Sequence, residues 1–271
     1  MKLGFSTLGC PGWSFEEIFS TAKDLGLDGI EIRGIGGELF APKTKPFLPE
    51  HIDDTKRKLQ SSGMSIPMLS SGAVLGLAGQ ADASIDEAKA YIDLAQKLGT
   101  PFVRVMITPV PQPTDDANLD TTRAAYEELC RYGQDKGVTP LIETNGPLAS
   151  SAVMKEFIES ISCENKGILW DIHHPFRYFG ERPEDTYEKI GKFVRYLHVK
   201  DSAMVNGAVQ YRMMGYGDVP VFDTLAVLHK NNFDGFVSLE WVKRWCPDLQ
   251  EPGIVFSHFT SYMGYLLRQL S

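Results

Sequence analysis

What most constrains this chain is a repeat of type: eight short β-rich segments, each followed by a longer stretch with helical apolar spacing. The β-rich segments are "KLGFST" (2–7), "GIEIRG" (29–34), "SIPMLSSG" (65–72), "FVRVMI" (102–107), "TPLIETNG" (139–146), "KGILWDIHH" (166–174), "RYLHVKD" (195–201) and "GFVSLEW" (235–241). Between them run stretches such as "SFEEIFSTAKDLGL", "IDEAKAYIDLAQKLG", "TTRAAYEELCRYGQDKG", "RPEDTYEKIGKFV" and "VFDTLAVLHKNNF", and "GIVFSHFTSYMGYLLRQL" closes the series. Several begin with Ser, Asp or Pro followed by acids, and others end at Gly26, Gly63, Gly99 or Gly137. These are the start and stop signals of helices. Strand–helix alternation requires a parallel sheet covered by helices. Eight such units in 271 residues match a (β/α)8 barrel. An open doubly wound sheet is the alternative, but no GxGxxG turn follows the first strand. No linker, low-complexity tract or charge run divides the chain. The expected architecture is a single (β/α)8 TIM barrel over residues 1–271.

Composition narrows the partners. A formal net charge of -8, without a dense Lys/Arg cluster, argues against nucleic acid and against a membrane surface. No apolar run approaches the roughly 20 residues of a membrane span. Cys10, Cys130, Cys163 and Cys246 lie far apart with no CxxC spacing, as isolated thiols in a reducing compartment do. The N-terminal "MKLGFSTLGCPG" has no signal-like apolar region. The expectation is a cytoplasmic protein.

In such a barrel, chemistry gathers at the C-terminal ends of the strands. Strand five ends in Glu143 and Asn145, and strand six in Asp171, His173 and His174; strand seven carries His198, Lys200 and Asp201, and strand eight closes on Glu240. Because side chains alternate faces, Ile142, Ile172, Leu197, Val199 and Leu239 point toward the helices. Glu143, Asp171, His198 and Glu240 then point into the barrel mouth. Three carboxylates and an imidazole would repel as a bare cluster, and one divalent cation resolves that conflict. An oxygen-rich set with one histidine suits Mn²⁺ or Mg²⁺, with Co²⁺, Fe²⁺ or Zn²⁺ also within its chemistry. Singly, a strand-end acid is more often a helix cap or an ion-pair partner. The four together at one rim carry the argument.

These residues, with "GFSTLG", "LGLDGIEIRG", "PLIETNG", "WDIHHPF", "YLHVKDS", "GYGDVP" and "GFVSLEW", make the chain resemble the sugar isomerase/epimerase superfamily of xylose-isomerase-like barrels. That group holds ketose 3-epimerases, inosose isomerases and dehydratases, and more distantly endonuclease IV. The resemblance spans essentially the whole chain and implies Glu143, Asp171, His198 and Glu240 as metal ligands. Its D-x-x-H motif falls on Asp171–His174, making His174 a substrate contact, whereas strand parity alone selects His173. Endonuclease IV needs extra histidines on earlier strands; "MLSSG" and "FVRVMI" have none, so a phosphate-ester hydrolase is disfavoured.

The chemistry implied is proton transfer beside a carbonyl through an enediolate, with Glu143 and Glu240 as acid and base on opposite faces. Return of the proton gives epimerisation or isomerisation; loss of a β-hydroxyl gives dehydration of a keto-cyclitol or related polyol. The partner is then a small sugar, sugar phosphate or polyol. Arg33, Arg104, Lys200, Arg212 and Asn145 complete the expected substrate contacts, since rim cations suit a phosphate, a carboxylate or a developing enolate oxygen. The competing reading pairs Arg33 with Glu31 and Arg104 with a neighbouring carboxylate. Trp13, Trp241 and Trp245 are candidate sugar-facing walls or loop packing, and Asp218 a cap or contact in a turn over the site. The aromatic segment "SHFTSYMGYLLRQL" suits a homo-oligomer contact or an ordinary outer helix.

Overall fold

The helices form where the sequence caps them. In α1 (Phe15–Asp24), Ser14 and Glu17 close a reciprocal capping box, and Phe15, Ile18, Phe19 and Ala22 bury one stripe. At the end of α3 (Ala81–Leu98), Gly99 takes φ +75, the left-handed conformation that favours glycine. In this computed structural model, which describes residues 1–270, the strands are β1 (Lys2–Ser6), β2 (Gly29–Glu31), β3 (Met68–Val74), β4 (Phe102–Met106), β5 (Thr139–Glu143), β6 (Gly167–Asp171), β7 (Val194–Val199), β8 (Asp201–Val205), β9 (Ala208–Arg212) and β10 (Phe236–Leu239). The remaining helices are α2 (Ile52–Ser61), α4 (Leu119–Gln134), α5 (Ser151–Ser160), α6 (His173–Phe179), α7 (Pro183–Ile190), α8 (Val221–Lys230) and α9 (Pro252–Gln269).

Eight strands run parallel in the order β2-β1-β10-β7-β6-β5-β4-β3. Parallel bridges Gly29↔Ser65 and Ile32↔Leu69 join its two ends and close the barrel. Ile142, Ile172, Leu197, Val199 and Leu239 pack outward in the large sheet–helix core. Met68, Leu141, Leu169, Tyr196 and Phe236 form a separate apolar cluster, with Phe102 packed on it. They share the inward parity of the polar residues further along the same strands, so they plug the barrel below the site. No described helix is long and apolar enough to cross a membrane.

Two local expectations need correction. Strand six does not continue to residue 174: β6 stops at Asp171, whose Oδ1 accepts the His173 amide at 3.0 Å, and the chain turns into α6. Strand seven is followed by an antiparallel hairpin, β8–β9, turning at Asn206 (φ 51) and Gly207 (φ 78). The Asn-Gly pair is a recognised hairpin signal.

Candidate metal centre

Strand register brings the ligand-type residues together: Asp171 pairs with His198, and His198 with Ser238. Glu143, Asp171, His198 and Glu240 are all buried, each offering a ligand atom within 4.8 Å of the others. The centre of the group is His198. Its Nε2 donates to Glu31 Oε2 at 2.9 Å, which fixes the tautomer and leaves Nδ1 as the inward nitrogen. Nδ1 is buried without a hydrogen-bond partner and faces Glu240 Oε1 at 3.5 Å, Glu143 Oε1 at 3.6 Å and Asp171 Oδ2 at 3.9 Å. Glu31 is in turn held by the hydroxyls of Ser70 at 2.6 Å and Ser238 at 2.8 Å.

Two permanent cations touch this group. Arg104 Nη1 lies 3.3 Å from Glu143 and 3.6 Å from Glu240, and its Nη2 donates to the Ser71 carbonyl at 2.7 Å. The Lys200 ammonium pairs with Asp171 and, at 2.5 Å, with Glu240. Four buried carboxylates (Glu31, Glu143, Asp171 and Glu240) therefore face two permanent cations. A divalent ion would supply the missing charge, whereas a proton on His198 would supply half of it. The donor set of three carboxylates and one imidazole fits such an ion.

The titration behaviour follows from the same contacts. Burial favours a neutral Glu143, but Arg104 and then His198 outweigh it and hold the carboxyl at about 2. Burial likewise opposes ionisation of Glu240, and Lys200, His198 and Arg104 overcome it, keeping the carboxyl below its usual range. Burial would lower His198, yet Glu31 and Glu240 raise it well above its ordinary value in the metal-free chain. Lys200 is driven well up by Asp171 and Glu240 against burial. His173 and His174 are both pushed down, burial being the main cause, and stay neutral.

A cavity of about 510 Å³ opens over this group; among its lining residues are Arg33, Arg104, Glu143, Asn145, His174, Lys200, Tyr211, Glu240 and Trp245. The conflict between the two histidines is answered by α6. His174 lines the cavity, with Nδ1 donating to the Thr144 carbonyl at 2.8 Å and Nε2 left as an acceptor 3.5 Å from Asp171. His173 is fully buried behind it, hydrogen-bonded to Ser202 at 2.8 Å. Although Asp171, His173 and His174 also cluster, these hydrogen bonds leave them poorly suited to hold an ion.

Other expected contacts divide. Asn145 lines the cavity, but its amide is spent on the Thr108 carbonyl (2.7 Å) and the Ile107 amide (3.2 Å). Arg33 lines the cavity and is not paired with Glu31, whose oxygens are taken by His198, Ser70 and Ser238. Arg212 is a correction: it is outside the lining, its guanidinium donating to Gln210 at 2.7 Å, because the hairpin turns Tyr211 inward instead. Trp13 packs edge-on against Phe256 at 5.7 Å and Trp241 is buried, so only Trp245 of the three tryptophans reaches the cavity. Asp218 pairs with Arg177. The "GYGDVP" turn is held by Asp201, which accepts from the amides of Gly215 (2.8 Å), Gly217 (2.9 Å) and Val219 (3.2 Å). A Cβ at Gly217 would stand 2.1 Å from Asp201 Oδ1, so the turn needs glycine there. Glu31 as the partner of His198 was missed, although its inward parity in "GIEIRG" was readable.

Comparison with known proteins bears on this geometry. The family model described as "Xylose isomerase-like TIM barrel" matches residues 19–255. Fructoselysine 3-epimerase of Shigella flexneri is 26% identical over 255 residues, covering 89% of this chain and 90% of the relative. Among solved structures, the IOLI protein with a binding zinc atom superposes with a TM-score of 0.80 at 18% identity, over 100% of this chain and 99% of its own. A xylose isomerase-like TIM barrel protein from Mycobacterium smegmatis in complex with magnesium gives 0.76 at 15% identity, over 100% and 98%.

Proposed function

Because the chain belongs to the xylose isomerase-like TIM barrel family, we propose that it is a divalent-metal-dependent isomerase or epimerase of a sugar, sugar phosphate or polyol, with Glu143 and Glu240 as acid and base. The observation that carries this reading is the buried Nδ1 of His198, unpartnered and facing three carboxylates. Glu143, Asp171, His198 and Glu240 would hold the ion, Mn²⁺ or Mg²⁺ by their oxygen-rich chemistry; the zinc and magnesium of the two solved relatives fall within the same range. When bound, the ion supplies Lewis acidity to a substrate carbonyl, which makes the neighbouring C–H acidic.

The chain's own residues supply the rest. Glu143 on β5 and Glu240 beyond β10 flank the two strands that carry Asp171 and His198, so they approach a substrate from opposite sides. Arg104 touches both carboxylates; it is the main charge keeping Glu143 ionised, while Lys200, then His198 and Arg104, keep Glu240 ionised, and ionised is the state from which either takes a proton. His174 presents Nε2 to a substrate hydroxyl, its ring held by Thr144. Tyr211 and Trp245 give the cavity apolar walls. The four free cysteines suit a reducing, cytoplasmic setting.

The test is deuterium incorporation, followed by NMR, from D₂O into a panel of ketoses, ketose phosphates, inososes and fructoselysine, with Mn²⁺ and then with excess chelator. Metal-dependent exchange at a carbon beside a carbonyl is expected for at least one member, with an epimer or isomer accumulating. Water loss without an epimer would reassign the site to a dehydratase. Absence of exchange across the panel, from protein shown to hold metal, would overturn the reading.

A further inference from the structure

The buried and half-buried cations around this barrel mouth are not treated alike. Arg104, Lys200 and Arg177 each have a carboxylate partner. Arg33 and Arg244 have none among the described residues. The guanidinium of Arg33 makes one side-chain hydrogen bond, from Nη1 to the Leu39 carbonyl at 3.4 Å. Glu31 is engaged elsewhere; Glu87 stands across Gly72 as a neighbouring charge without forming an ion pair, its Oε1 accepting the Gly72 amide at 2.6 Å. A Cβ on Gly72 would lie 3.1 Å from Arg33 Nη2, so this glycine leaves room for the guanidinium along the cavity wall. Arg244 donates from Nη2 to the Gly36 carbonyl at 2.7 Å, and its buried Nε has no partner. Both guanidiniums thus hang on carbonyls of the loop after β2. Burial and then Arg104 depress the pKa of Arg33, with Tyr91 and Glu87 opposing them and Arg244 adding a smaller push down. A guanidinium in the cavity wall with no carboxylate within ion-pair distance keeps its donors available to an oxyanion.

Position says which part of a ligand would answer it. In the eight-strand ring β2 stands four strands from β6 in either direction, so Arg33 enters the cavity opposite Asp171. We propose that Arg33, supported by Arg244, forms an anion subsite that receives a carboxylate or phosphate carried at the end of the substrate remote from the reacting carbons. The inference rests on reading the cavity as a ketose site, and it narrows the substrate class from sugars in general to acidic sugar derivatives. Guanidinium pairs oxyanions through two parallel N–H donors, a geometry that an ammonium cannot reproduce.

The test uses the Mn²⁺-loaded protein and three unreactive polyols: glucitol, glucitol 6-phosphate and 6-O-carboxymethyl glucitol, with affinities from calorimetry. At least one anionic probe is expected to bind about 30-fold more tightly than glucitol, the range for charge-assisted hydrogen bonds. Which of the two is preferred identifies phosphate or carboxylate. Arg33→Met should reduce the preference below about 3-fold while Arg33→Lys keeps part of it. Arg33→Met should also melt at the same or a higher temperature, because it removes an unpaired charge. Equal binding of all three probes, a preference untouched by Arg33→Met, or a lower melting temperature would overturn the proposal. Anion preference without deuterium exchange on any ketose would sink the ketose reading and leave the subsite. Exchange without anion preference would sink the subsite alone.

Discussion

On the inner wall of the barrel, Leu141, Leu169, Tyr196 and Phe236 pack together as an apolar plug, while two residues further along the same strands Glu143, Asp171, His198 and Ser238 face one another. The strands, the parity and the burial are shared, so backbone geometry does not separate the layers. The lower layer stabilises the barrel by removing apolar surface from water and filling the interior. In the upper layer, ion pairs that form inside the protein do not reliably recover the desolvation of their members. A layer of this kind is expected to be kept for chemistry. Substitutions should therefore separate the layers by what they damage.

The largest expected effect is in the upper layer. Glu143→Gln keeps shape and removes a base, so deuterium exchange on a responsive ketose should fall about 10³-fold, or ~4 kcal/mol in barrier. The thermal melt should move by only a few degrees. Retained exchange would show that Glu143 is merely a ligand or a partner for Arg104. Below it, Leu169→Ala opens a cavity in a closed interior and should cost about 3 kcal/mol in urea unfolding. Exchange per folded molecule should stay within a factor of about 3. If Leu169→Ala instead lost activity while keeping its stability, the division between layers would fail.

A smaller effect tests whether Glu31 belongs to the upper layer although it touches no substrate. Glu31→Gln keeps a hydrogen-bond acceptor for His198 but removes the charge that fixes and strengthens the imidazole as a ligand. Metal affinity should drop about 10–100-fold in a chelator competition, the usual consequence of losing such a partner. Unchanged affinity would place the ion away from His198.

Much of this is legible in the sequence, for physical reasons. Strand–helix repetition and alternating faces are local properties, so they delivered the barrel and the convergence of Glu143, Asp171, His198 and Glu240. What failed depended on where a strand stops. Parity selects His173 only if β6 continues, and the capture of the His173 amide by Asp171 ends it, which turns His174 to the cavity. Arg212 lies on the β8–β9 hairpin outside the cavity lining, and the Asn206–Gly207 pair that turns this hairpin is a local sequence signal. Ion-pair choice was the least readable. Glu31 sits two residues from Arg33, yet it pairs with His198 from far along the chain. Only closure of the barrel makes that contact short.

The subtlest expectation concerns protons. In the metal-free chain Glu31 and Glu240 raise His198 well above its usual value, against burial. Between the ordinary imidazole pKa of about 6.5 and that raised value, the metal-free site holds a proton that an unfolded chain would release. An ion bound through Nδ1 must displace it, so binding releases a proton and affinity should rise about tenfold per pH unit across that window. Above the raised pKa the dependence should flatten. Glu143, already ionised far below neutrality at about 2, adds nothing to this slope near pH 7. Chelator-competition titrations with Mn²⁺ at several pH values from 6 to 8 would read the slope directly. A slope near zero would mean that the ion does not use His198 Nδ1, and the upper layer would then have to hold its charge in balance by protons alone.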